Sequence, residues 1–136
     1  MNQQDIFRVV ELTNVERSKA GLSPLQFNPV LGAAAQKHSV DMAINDFFGH
    51  TGSTGSQIGD RISSEGYKWS SCAENVYAGG STAEDVVQGW MNSTGHRDNI
   101  LSRNVTEIGV GYYFLADDTG QINYKHYWTQ VFAAPL

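Results

Sequence analysis

The sequence predicts an α+β domain whose helices pack on a central, mainly antiparallel sheet. Three observations predict it. The first half of the chain follows a helical period, the last third follows a strand period, and a turn-forming run, Ala116 to Gln121, separates two β-like stretches near the C-terminus. At 136 residues the chain, 1–136, is one domain's worth of material and long enough to bury a core without staples.

Residues 5–19 place Ile6, Val9, Val10 and Thr13 on one face of a helix, stopped by Gly21 with Pro24 soon after. Asn28 is the next helix start, with Pro29 at the first helical position, where a missing N–H costs nothing. Leu31, Ala34, Ala35, His38 and Met42 then form one apolar stripe that runs out near Phe47-Phe48-Gly49. Residues 51–60 read as a polar loop, and a short helix covers Asp60–Glu65 up to Gly66. Ala73–Ala78 reads as a short strand broken by Gly79-Gly80. Ser81-x-x-Glu84 is a capping box for a helix that groups Val86, Val87 and Trp90 and stops at Gly95. Ile108–Phe114 and Ile122–Phe132 close the chain as a hairpin.

Fourteen acidic against nine basic residues give a net charge of −5, and the basic residues nowhere cluster, so nucleic acids and anionic membranes are poor partners. No apolar run is long enough to cross a bilayer, which excludes integral membrane association through a helix. A single cysteine, Cys72, excludes an internal disulfide and reads as a small apolar filler. The N-terminus goes straight into the helical pattern, consistent either with a cytosolic protein or with an exported one whose leader has been removed.

Familiar catalytic signatures are absent: there is no His-Glu-x-x-His, no Gly-x-Ser-x-Gly and no phosphate-binding glycine loop. The chemistry that remains rests on four histidines and one carboxylate. His38, inside an apolar stripe, suits a packed imidazole bonded to a backbone carbonyl. His50, past a helix end, and His96, in Gly-His-Arg after another, are placed to face a crevice, whereas His126 lies within the last strand. Glu74 sits in an apolar run and needs a partner or a metal, the plain alternative being nearby backbone N–H groups. Two imidazoles and one carboxylate, His50, His96 and Glu74, would suit a zinc-type site with an open fourth position.

A series of motifs in order gives a further lead. Leu12-Thr13-Asn14-Val15-Glu16-Arg17 with Gly21-Leu22-x-Pro24-Leu25 is followed by Leu31-x-x-Ala34-Ala35-x-x-His38 and Phe48-Gly49-His50. Then come Ala73-Glu74-Asn75-Val76, Trp90-Met91-x-Ser93-x-Gly95-His96-Arg97, Glu107-Ile108-Gly109-Val110-Gly111 and Tyr127-Trp128-Thr129-Gln130-Val131-Phe132. Over nearly its whole length the chain resembles bacterial members of the CAP superfamily (cysteine-rich secretory proteins, antigen 5 and pathogenesis-related proteins), whose module is the SCP-like domain.

The resemblance implies a three-layer α–β–α sandwich, secretion to the cell envelope or exterior, and a cleft that in eukaryotic members carries two histidines and two glutamates able to hold zinc or another divalent cation. His50 matches the first histidine and Glu74 the glutamate of the Glu-Asn motif. Ser93 stands where the second carboxylate would be and Tyr127 where the second histidine would be, with His126 turned to the opposite face by strand alternation. His96 is the substitute imidazole. The expectation is a monomeric, exported domain whose cleft, lined by His50, Glu74, Ser93, His96 and Tyr127, binds a small-molecule or lipid-like ligand. No cofactor is required, and any zinc would be held weakly by His50, His96 and Glu74. Its rivals are a metal-dependent hydrolase using those three residues as ligands or base, a Ser93–His96 nucleophile pair, and a non-catalytic module in which Glu74 and His96 only tie loops to the sheet.

Overall fold

A computed structural model describes residues 2–136. Five helices and four strands follow in the order α1 (Asn2–Lys19), β1 (Gln26–Phe27), α2 (Pro29–Ile44), α3 (Ile58–Ser64), β2 (Trp69–Ala78), α4 (Ala83–Met91), α5 (Thr94–Ile100), β3 (Glu107–Phe114) and β4 (His126–Pro135). The sheet runs β1-β3-β4-β2, antiparallel except for the two-residue parallel pairing of Gln26–Phe27 with Glu107–Ile108.

Register assigns the two faces. Glu74 pairs with Val131, which pairs with Gly109, so these residues and their alternate neighbours share one face. There Val131 and Ala133 meet Leu31, Ala34 and Ala35 of α2 and Ile62 of α3. On the opposite face Ile108, Val110, Tyr112, Trp128 and Phe132 pack against Val9 of α1, Val86, Val87 and Trp90 of α4, and Ile100 of α5. Helices thus cover both faces, and the α–β–α sandwich is the architecture of the chain.

The α2 layer sits unusually close to β3, and glycine is the reason. A Cβ at Gly109 would lie 2.2 Å from the Gly32 nitrogen and one at Gly111 2.4 Å from the Gln36 nitrogen, both backbone atoms of α2. Close by, Tyr112 N and O are held by the Gln36 side-chain amide at 2.9 and 3.0 Å. The start of α2 is as its sequence predicts: Asn28 Oδ1 accepts from Val30 N at 2.8 Å, with Pro29 next.

Several boundaries differ from the sequence expectation, each for a local reason. The short helix begins at Ile58, because the Gln57 N–H is capped by Asp60 Oδ2 at 3.0 Å. The strand expected from Ala73 begins at Trp69, through a serine-rich stretch with a register shift between Trp69 and Ser71. The cap of α4 is Thr82, which accepts from Asp85 N at 3.1 Å, so the Ser81 box does not form. The helix does not run on to Gly95: it stops at Met91, the extended backbone of Ser93 breaks it, and α5 then carries Gly95 and His96. The last strand starts at His126 and not at Ile122, because Lys125 takes a left-handed φ of 69° that no strand can continue through.

Candidate functional site

The site is built where β2 is an open edge of the sheet, reached from both layers. Glu74 projects from β2 onto the α2 face and is only 5% exposed. Its oxygens are divided between two partners. Oε1 accepts from His50 Nδ1 at 2.9 Å and Oε2 from Arg61 Nη2 at 2.7 Å. A buried carboxylate is tolerated when charge and hydrogen bonds are both supplied, and this one receives both.

The partners are themselves held. Arg61, on α3, also donates through Nη1 to the Ser56 carbonyl at 2.8 Å, which pins the 49–57 loop against the helix. Asp41 on α2 pins the same loop by accepting from Ser53 N at 2.9 Å. His38 is fully packed in α2 and its Nε2 donates to the Gly49 carbonyl at 2.8 Å, one residue before His50. The sequence expectation of a packed histidine on a carbonyl therefore holds, and its effect is to fix the residue that leads into His50. Since the Glu74 carboxylate accepts, His50 Nδ1 carries the hydrogen, which makes Nε2 the lone-pair nitrogen of the neutral ring on a side chain 53% exposed. The hydrogen bond to Glu74 raises the His50 pKa above 6.5, against the opposing effect of burial.

From the other layer, α5 reaches the same strand edge. Asn75, next to Glu74 but on the opposite face, donates to the His96 carbonyl at 3.1 Å and to Gln130 Oε1 at 3.0 Å. Asn99 donates to Asn75 Oδ1 at 2.9 Å. Ser93 caps no backbone amide; its hydroxyl instead shares a hydrogen bond with His96 Nδ1 at 3.0 Å. Burial lowers the His96 pKa, and the nearby charge of His50 lowers it further. Both histidines are thus tied to the same stretch of β2, with their pKa values moved in opposite directions.

The expected set is only partly assembled. His50 and Glu74 are in contact, and His96 and Ser93 form a second pair close by. Tyr127 does not line a cleft: it is fully buried, and its hydroxyl bonds Asp118 and receives Tyr124 N, closing the β3–β4 connection. His126 points to the other face as alternation requires, bonded at 2.6 Å to the Tyr112 hydroxyl. Among the described residues no three His, Cys, Asp or Glu side chains stand together as a metal-holding group. The donor chemistry agrees, since Glu74 has both oxygens engaged and a guanidinium lies 2.7 Å from one of them, where it opposes a dication. The His50, His96 and Glu74 set does not fit a firmly held metal.

The residue the sequence reading missed is Arg61. A buried acid demands a cation, and Arg61 sits in the short helix beside the loop that carries His50. Nothing in the linear order, however, links position 61 to position 74.

The model of the CAP, or cysteine-rich secretory protein, family matches residues 10–132. The chain belongs to this family. Among its relatives, the uncharacterized protein YkwD of Bacillus subtilis is 44% identical over 125 residues, 92% of this chain and 45% of the relative. The uncharacterized membrane protein YlbC of the same organism is 35% identical over 76% of this chain and 30% of its own length. The chain thus spans less than half the length of these curated relatives. An extracellular Bacillus anthracis protein containing an SCP domain superimposes with a TM-score of 0.84 at 31% identity, over 97% of this chain and 41% of that one. An outer surface protein of Borrelia burgdorferi shares the fold, with a TM-score of 0.89 at 18% identity over 100% of this chain and 96% of that one. No described helix of this CAP domain is long and apolar enough to cross a membrane.

Proposed function

We propose that this CAP domain is an exported binding module whose receptor is the open edge of β2, where His50, His96 and Ser93 hold the polar group of a small ligand. The observation that carries the reading is the Glu74–His50 contact at 2.9 Å, which holds a half-exposed imidazole whose Nε2 has no protein partner among the described residues. A ring oriented by a buried carboxylate binds without first losing rotamer freedom. The neighbouring His96 adds a second donor or acceptor of different basicity.

The test is mass spectrometry of small molecules extracted from native protein recovered from the culture medium, compared with His50→Ala treated identically. A polar compound near one per chain, lost in the variant, supports the proposal. Equal recovery of nothing from both, with imidazole NMR signals unmoved by host extract, overturns it.

A hydrolytic second reading draws on Ser93 Oγ lying 3.0 Å from His96 Nδ1, within reach of proton transfer. Among the described residues no carboxylate hydrogen-bonds the His96 ring, which leaves that base without the orienting group of a triad. Saturable hydrolysis of an activated ester that disappears in Ser93→Ala would favour this reading.

A further inference from the structure

A second cleft, remote in sequence from the β2 edge, lies between the end of α1 and the segment joining α5 to β3. It encloses about 190 Å3 and is lined by Arg17, Leu22, Ser23, Arg103, Val105 and Thr106. Arg17 is buried, only 3% exposed. Its Nε donates to the Ser23 carbonyl at 2.9 Å and its Nη1 to the carbonyls of Ile100 and Ser102 at 2.8 Å each. That leaves Nη2 without a protein acceptor among the described residues, and it is not among the side-chain atoms sealed from solvent.

Carbonyl dipoles solvate the guanidinium but do not neutralise it. Among the described residues every ion pair involves other cations, so neither Arg17 nor Arg103 has a carboxylate partner. This occurs in a chain of net charge −5, where acids are in surplus. Burial lowers the Arg17 pKa and the charge of Arg103 lowers it further, as expected of two cations facing one space with no anion between them. A buried charge with that cost calls for a counter-charge.

We propose that this cleft is a binding site for a phosphate-type oxyanion. Arg17 and Arg103 supply the charge, and Ser23 and Thr106, which line the cleft from two chain segments, carry hydroxyls within the same wall. Donors converging from two segments suit a tetrahedral group with oxygens on every side. Leu22 and the buried Val105 form the apolar part of its wall. The cleft holds roughly six waters' volume, enough for one phosphate with part of an attached group. Arg17 is already tethered by three carbonyls, so the site is formed before the ligand arrives.

The experiment is thermal unfolding and backbone amide NMR of the protein titrated with inorganic phosphate, with glycerol phosphate, and with sodium chloride at matched ionic strength. A saturable rise in Tm with shifts at Ser23, Arg103 and Thr106, absent with chloride, supports the site. Arg103→Gln, a change at an exposed side chain, weakens the apparent Kd about tenfold, the loss of one charge-assisted contact. Arg17→Lys weakens it as well if it folds, and Arg103→Gln decides if it does not. Equal affinity for both phosphates identifies the free ion as ligand, and tighter binding of the ester a phosphorylated molecule. A response no different from chloride, or an unchanged Kd in Arg103→Gln, overturns the proposal.

Discussion

Glu74 spends one oxygen on His50 and the other on Arg61, and that division decides what the neighbourhood can do. Removing the carboxylate leaves a guanidinium only 11% exposed with no opposite charge. Glu74→Ala therefore costs about 3 kcal/mol of stability, read as a fall in the urea midpoint, and an unchanged midpoint would mean the pair contributes nothing. Histidine NMR titrations should separate the two imidazoles. His50 titrates above 6.5 because its charged form is bonded to Glu74, and His96 below 6.5 because burial and the His50 charge oppose protonation. In Glu74→Gln the His50 midpoint falls, and a midpoint that stays put would show that the contact does not govern it.

At the scale of elements, the closeness of α2 and β3 depends on two missing side chains. Any Cβ at Gly111 meets helix backbone, which cannot rotate aside as a side-chain tip can. Gly111→Ala should cost about 3 kcal/mol, at the upper end of overpacking penalties, whereas Gly95→Ala, with open space around it, should change stability little. Urea unfolding of the pair checks this, and equal midpoints would refute it. The same dependence explains what the sequence revealed about elements. The α2 start was legible because Asn28 and Pro29 act locally. The late start of β4 was not, because Lys125 is held in its turn by Asp118, which accepts from its N–H at 3.0 Å seven residues away.

For the whole molecule, acid stability is a contest among histidines. His38, His96 and His126 have lowered pKa values, in each case chiefly from burial. For them the unfolded chain binds protons more readily, so stability is full above about 6.5 and declines as pH falls through the lowered values. His50 is opposite in sign: its contribution is full below about 6.5 and is lost as pH rises through its raised pKa. Three against one predicts a net loss of stability between about pH 7.5 and about pH 5.5, steeper in His50→Gln. Denaturant midpoints at both pH values measure it, and a midpoint that rises on acidification would reverse the assignment.

The sequence alone determined the class of fold and the family, because periodicity, caps and motif order are written in neighbouring residues; of the five residues it expected around one cleft, His50 and Glu74 are in direct contact. Only the tertiary structure decided that Arg61 completes the Glu74 pair, that Tyr127 is sealed inside, and that Arg17 and Arg103 share a cleft. Each of those is a meeting of segments many residues apart, brought together by the sheet and its two helical layers. Charge and burial act through space, so their consequences appear only when the chain has folded.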